Sequence, residues 1–192
     1  CKGTTLDLSA ALATGFILKI CSLAVASALR WRSRFAWASA SAAWARACAS
    51  GLGAPVSVGA LPDMLTFTPN GAHVVVANEG EPLDYCSPGL ANDPEGSVTI
   101  IDVPEDRSEL ATATVRTADF HSIYAALHPE VRFFGPNASP AQDLEPEYIA
   151  VADDSKTAYV TLQEANAIAV VDLATGTVTA LHALGTLSLI HI

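Results

Sequence analysis

The sequence predicts an all-β fold of about two four-stranded antiparallel units, and three observations carry that prediction. PDMLTFTPNGAHVVVANEG, residues 62–80, aligns without gaps on PEYIAVADDSKTAYVTLQE, residues 146–164. Each copy is a Pro-acid pair, a short apolar run, a polar turn and a second apolar run. A third run follows both copies and ends on Asp before a turn: GSVTIIDV at 96–103 and NAIAVVDLATG at 166–176.

Taken in chain order, the first fifty residues stand apart. SAALATGFILKICSLAVASAL, residues 9–29, is apolar apart from Lys19 and runs straight into RWRSR. Its length suits a membrane span of about 20 residues with the arginines on the cytoplasmic side. A signal peptide is the second reading, with ASASAAWARACAS holding a cleavage site. The third is a non-native leader, because Ala, Ser, Arg and Trp dominate without helical or strand periodicity. Residues 51–186 carry the repeat, in units of about 56–115 and 144–186. Residues 187–192 close on SLIHI, which resembles translated sequencing-adapter text and is set aside as a tail.

Within each unit the turns TPNG and ADDS supply the Asn, Asp, Gly and Ser that tight turns use. VVVA, TIID, IAV and AVVD are continuous or alternating apolar runs, as strands covered on both faces require. Val178–Leu184 supplies a fourth strand to the second unit. The first unit differs mainly by about 14 extra residues between its second and third strands, NEGEPLDYCSPGLANDPEGS at 78–97. Four-stranded meanders stacked side by side are the blades of a β-propeller, which closes with about four to eight of them. Two blades leave an apolar face and strand edges uncovered, so the pattern predicts part of a longer protein.

Charge divides the chain. Residues 1–50 hold six basic side chains against one acid; residues 51–192 hold four against nineteen, a net of −15. Such a surface repels phosphate backbones, which argues against nucleic acid and for divalent cations or basic partners. The four cysteines show no CxxC or Cys/His metal spacing. Asn137-Ala138-Ser139 is an N-glycosylation sequon, disfavoured by the Pro140 that follows it.

A four-stranded meander puts the lead-in to its first strand and the link between its second and third strands at one end. Twelve acids are predicted to collect there: Asp63, Glu79, Glu81, Asp84, Asp93, Glu95, Asp119, Glu130, Asp143, Glu145, Glu147 and Glu164. Eight of these are candidate metal ligands: Glu79, Glu81, Asp84, Asp93, Glu95, Asp143, Glu145 and Glu147. Carboxylates with Asn and backbone carbonyls nearby suit Ca²⁺, which takes about six to eight oxygens. Asp143, Glu145 and Glu147 alternate, so an extended segment points them the same way. A solvated acidic rim is the alternative, and no EF-hand spacing favours the metal. His73 reads as a strand residue, and His121 with Asp119 lacks a third ligand.

Nucleophilic catalysis finds no GxSxG elbow, and Cys86 has nothing beside it in sequence to lower its pKa. Tyr85, Tyr124, Phe133 and Phe134 either line a cleft or anchor the long link at 117–142.

GALPDMLTFTPNGAHVVVANEGEP, DPEGSVTIIDV, FFGPNASPAQDLEPEYIAV and DSKTAYVTLQEANAIAVVDL together resemble the choice-of-anchor I family over roughly residues 56–185. The resemblance implies a secreted or surface-anchored propeller of YVTN, WD40-like repeats. That group includes mesenchyme-specific cell-surface glycoprotein-like proteins, and some members are named alkaline phosphatases. An extracellular binding module with an acidic, Ca²⁺-binding loop face is therefore the expectation, with an unidentified surface ligand as partner. A metal-dependent alkaline phosphatase or phytase-like phosphoesterase acting on a phosphoester is the alternative.

Overall fold

A computed structural model describes residues 56–82, 93–106, 109, 112–135 and 137–186. Two antiparallel sheets of four strands make up its frame. The first holds β1 (Pro62–Phe67), β2 (His73–Asn78), β3 (Ser97–Asp102) and β4 (Thr114–Ala118) in sequential order. The second holds β5 (Pro146–Val151), β6 (Thr157–Leu162), β7 (Ala167–Asp172) and β8 (Thr177–Ala183), also in order. This is the expected all-β partial propeller of two blades.

The repeat is kept to the residue. Pro62 to Pro146 and His73 to Thr157 are both 84 positions apart, while Ser97 to Ala167 is 70 apart. The shortfall is the insertion after β2. Both first strands also break register early, after Pro62 and after Pro146, where the missing proline N–H leaves the ladder incomplete. The turns work as their composition requires. Thr68 Oγ1 donates to Asn70 Oδ1 at 2.7 Å, and Gly71 takes a positive φ of 70° that suits its missing Cβ. In the second unit Asp172 Oδ1 accepts from Ala174 and Thr175 N–H, both at 2.8 Å, closing the β7–β8 turn.

Strand alternation decides what each face buries. On β2, Val75 and Ala77 enter a core shared with Ile149, Val160, Leu162 and Val171 of the second sheet. Val74 and Val76 point the other way, against Leu65, Phe67 and Ile101, with Val56 and Val58 packed over them. The first sheet is thus covered on both faces, which is why its runs are apolar throughout. The second sheet turns its other face outward: Tyr159 lies between buried Ala158 and Val160 and is 46% exposed, and Tyr148 is 63% exposed. β1 and β2 pack on β5, and β4 meets β8, so the blades fan side by side.

Arg116 on β4 fastens the blades at the end bearing the short turns. It grips Asp102 through Nη2–Oδ1 at 2.6 Å and Nε–Oδ2 at 3.1 Å, and its Nη1 donates to the carbonyls of Leu173 and Ala174. Asn70 N–H adds a bond to Ser155 Oγ at 3.0 Å.

The link between blades holds a 3₁₀ helix (His121–Ala126) and one α-helical turn, α1 (Pro140–Asp143). Phe120, Ile123 and Leu144 sink into the shared core and pin it. No helix among the described residues is long and apolar enough to cross a membrane. The expected span at 9–29, the leader and the tail at 187–192 lie outside the described residues.

Candidate functional site

Strand register settles which loops share an end. Pro62 pairs with Asn78, Asn78 with Ser97 and Val98 with Ala118; in the second blade Pro146 pairs with Leu162, Leu162 with Ala167 and Ala167 with Ala183. The lead-ins to β1 and β5, both second-to-third links and the inter-blade link therefore meet at one end, as expected.

Backbone contacts draw these segments tight. Gly96 N–H donates to Ala141 O at 2.8 Å, Gln142 Nε2 to Asp93 O at 2.7 Å, and Glu79 N–H to Leu61 O at 2.9 Å. A Cβ on Gly96 would collide with the Leu144 carbonyl oxygen and stand 2.9 Å from Glu79 O. Only glycine lets the first blade's loop lie against the lead-in to β5.

The carboxyls at this end separate into groups. Glu79, Glu145 and Glu147 form the principal one, with Glu81, Asp63 and Glu164 as neighbours. Burial pushes the Glu145 carboxyl up to about 7, helped by the charges of Glu164, Glu81, Asp143 and Glu79. Its residue is only 5% exposed. Glu147 is also raised to about 7, first by burial, then by the charge of Glu164 and a hydrogen bond to it. Glu79 is shifted upward by burial and by Asp63, Glu81 and Glu164. Glu164 bears on all three, and its Oε2 is buried with no hydrogen-bond partner among the described residues. Burial disfavours the charged form and neighbouring carboxylates add repulsion, so both effects favour retained protons or a bound cation.

The remaining candidates are employed otherwise. Asp143 accepts from Phe134 N–H at 2.7 Å and Gly135 N–H at 2.9 Å through Oδ2, holding the inter-blade link in place. Asp93 lies near it and is raised by burial and by the Asp143 charge. Glu95 Oε2 pairs with His121 Nε2 at 2.8 Å on the open surface, lifting the imidazole above its usual range. Asp119 Oδ1 accepts from His121 N–H. Asp84, Tyr85 and Cys86 lie outside the described residues. Asp63 and Glu164, absent from the eight expected ligands, belong to the principal group, and the shared end is the sequence signal that reaches them.

Among the described residues no three His, Cys, Asp or Glu side chains stand together as a ready metal site. The expected aromatic cleft divides as well. Tyr124 OH accepts from Ala141 N–H at 3.0 Å and anchors the link, whereas Phe133 and Phe134 are 40% and 43% exposed. Arg132 lies 5.9 Å from the Phe134 ring, and its N–H donates to Ala165 O beside Glu164. His73, at the start of β2, bonds Asp102 at 2.9 Å on the opposite end of the sheet.

Comparison with known proteins follows this geometry. One similar crystal structure comes from Bacteroides fragilis NCTC 9343 and is provisionally named a 6-phosphogluconolactonase. It shares 16% identity and a TM-score of 0.31, over 62% of this chain and 23% of that one. The chain thus spans less than a quarter of that protein's length. No curated protein matches the sequence. Residues 46–191 match the choice-of-anchor I domain, three quarters of the chain including both sheets and every acid discussed above, and the chain therefore belongs to the choice-of-anchor I family.

Proposed function

We propose that this chain is part of an extracellular or cell-surface β-propeller that works as a binding module, with the carboxyl-rich end as its ligand surface. The ligand class is cationic, and Ca²⁺ is the ion that these oxygen donors suit best. The observation that carries this reading is Glu145: a nearly buried carboxyl set among Glu164, Glu81, Asp143 and Glu79. Among the described residues no Lys, Arg or His pairs with Glu145, Glu147, Glu79 or Glu164. Uncompensated acids at a buried junction cost stability, and a structural role alone does not select for them.

The side chains are not drawn into a cage, so binding would pull Glu79, Glu145, Glu147 and Glu164 inward and fill the remaining positions with carbonyls and water. Calorimetric titration of Ca²⁺ into the full chain, against a Glu145→Gln/Glu147→Gln variant, tests the reading. Saturable heat in the parent that falls at least tenfold in affinity in the variant supports it; identical isotherms overturn it.

A metal-dependent phosphoesterase is the rival. This field repels a phosphomonoester until cations neutralise it. Hydrolysis of p-nitrophenyl phosphate that depends on Ca²⁺ would move the assignment to that class.

A further inference from the structure

We infer that Asn137 is an N-linked glycosylation site, displayed on the turn that leads into α1. The inference rests on the extracellular reading above for its compartment, and otherwise on this turn. Asn137-Ala138-Ser139 is the only Asn-X-Ser/Thr sequence in the chain, so any such glycan has one address.

The fold leaves room for it. Asn137 is exposed with φ 70°, a left-handed position, and the Ala138 N–H to Gly135 O bond closes the turn around it. It lies outside every strand, so a bulky, hydrated substituent there displaces no ladder hydrogen bond. The left-handed turn by itself accounts for an asparagine, which tolerates that conformation better than most residues.

It does not account for the serine. Ser139 uses its N–H to reach Gln142 Oε1 at 2.7 Å, and its carbonyl accepts from Gln142 N–H at 3.0 Å. Its hydroxyl is buried and has no hydrogen-bond partner among the described residues. A buried hydroxyl without a partner costs stability relative to alanine. The fold therefore makes no use of the atom that turns this turn into an acceptor sequence. Glycan transfer reads that hydroxyl on the unfolded chain, before it is buried.

Pro140 opposes transfer, yet it has its own structural use as the first residue of α1, where its fixed φ and missing N–H suit a helix start. Lowered occupancy, rather than none, is the expected result.

The test expresses the full chain behind a heterologous cleavable signal peptide in cultured animal cells. Secreted and endoplasmic-reticulum-retained protein are both analysed. The parent should migrate as a doublet whose upper band collapses on treatment with peptide N-glycosidase, which converts Asn137 to aspartate. Asn137→Asp and Ser139→Ala should each abolish the upper band, and Pro140→Ala should strengthen it. A parent chain that enters the secretory route and stays unmodified overturns the inference, even where Pro140→Ala is modified. Because the signal peptide is supplied, this outcome is separate from whether the native protein is exported; surface labelling of the native full-length protein decides that.

Discussion

Glu147, at the second position of β5, hydrogen-bonds Glu164, two residues beyond the end of β6, one carboxyl to another. Two carboxylates cannot both stay ionised at that separation without cost, so Glu147 keeps its proton to about 7. Glu145 does the same for a different first reason, burial.

Stability should therefore fall as pH rises. Glu145 moves from 4.5 to about 7 on folding, so between those values the folded state holds a proton that the unfolded chain has released. The contribution is most favourable below about 4.5, declines across this window and is lost above 7. Urea denaturation at pH 5 and pH 8 should differ by roughly 2 kcal/mol after discounting for solvent screening. Glu145→Gln should flatten the profile and gain stability at pH 8.

Ca²⁺ should reverse this penalty where the carboxyls are charged. Millimolar Ca²⁺ is expected to raise Tm at pH 8 and to do little at pH 5, where protons compete for the same oxygens. Mg²⁺ should be weaker, since it yields its water less readily. Differential scanning calorimetry at both pH values checks the expectation; equal shifts at the two would remove the carboxyls from the site.

Arg116→Ala should cost about 2 kcal/mol, because it removes the two-point grip on Asp102 and both bonds to the second blade. The Arg116 guanidinium holds the Asp102 carboxyl below its usual range, so its stabilisation is present above 3.8 and is lost as pH falls through the lowered value. Acid unfolding of the variant should lose that component when measured by circular dichroism.

Gly96→Ala should cost about 2–3 kcal/mol, since the added methyl meets the Leu144 carbonyl and the Pro146 ring at once. The damage lands where the loop and the lead-in to β5 meet. Ca²⁺ affinity should drop with stability, whereas Arg116→Ala, at the other end, should leave affinity unchanged.

His121 should titrate above 6.5 in the folded protein, with Glu95 as the cause through a hydrogen bond and its charge. Glu95→Gln should return it toward that value. Imidazole proton shifts followed by NMR across pH 5–9 measure both; no difference between the two proteins would remove the pair.

Much of this architecture was legible in the chain itself. β1, β2, β5 and β6 fall within the aligned copies, because alternation and turn composition are local signals that survive without knowledge of neighbours. The shared acidic end followed too, since a meander admits one arrangement of its loops. β4 did not stand out: TVRTA is short and largely exposed, and it is a strand because Val98 to Asp102 offer it a ladder.

The fate of each carboxyl was decided only by tertiary contact. In the sequence Asp143, Glu145 and Glu147 are equivalent, alternating along one segment. Folding gives Asp143 two backbone N–H donors, buries Glu145 at the junction and sets Glu147 against Glu164. Periodicity fixes the side of a strand to which a residue points, but its charge state depends on desolvation and on neighbours brought in from distant parts of the chain. Those are properties of the assembled blades, and no single segment contains them.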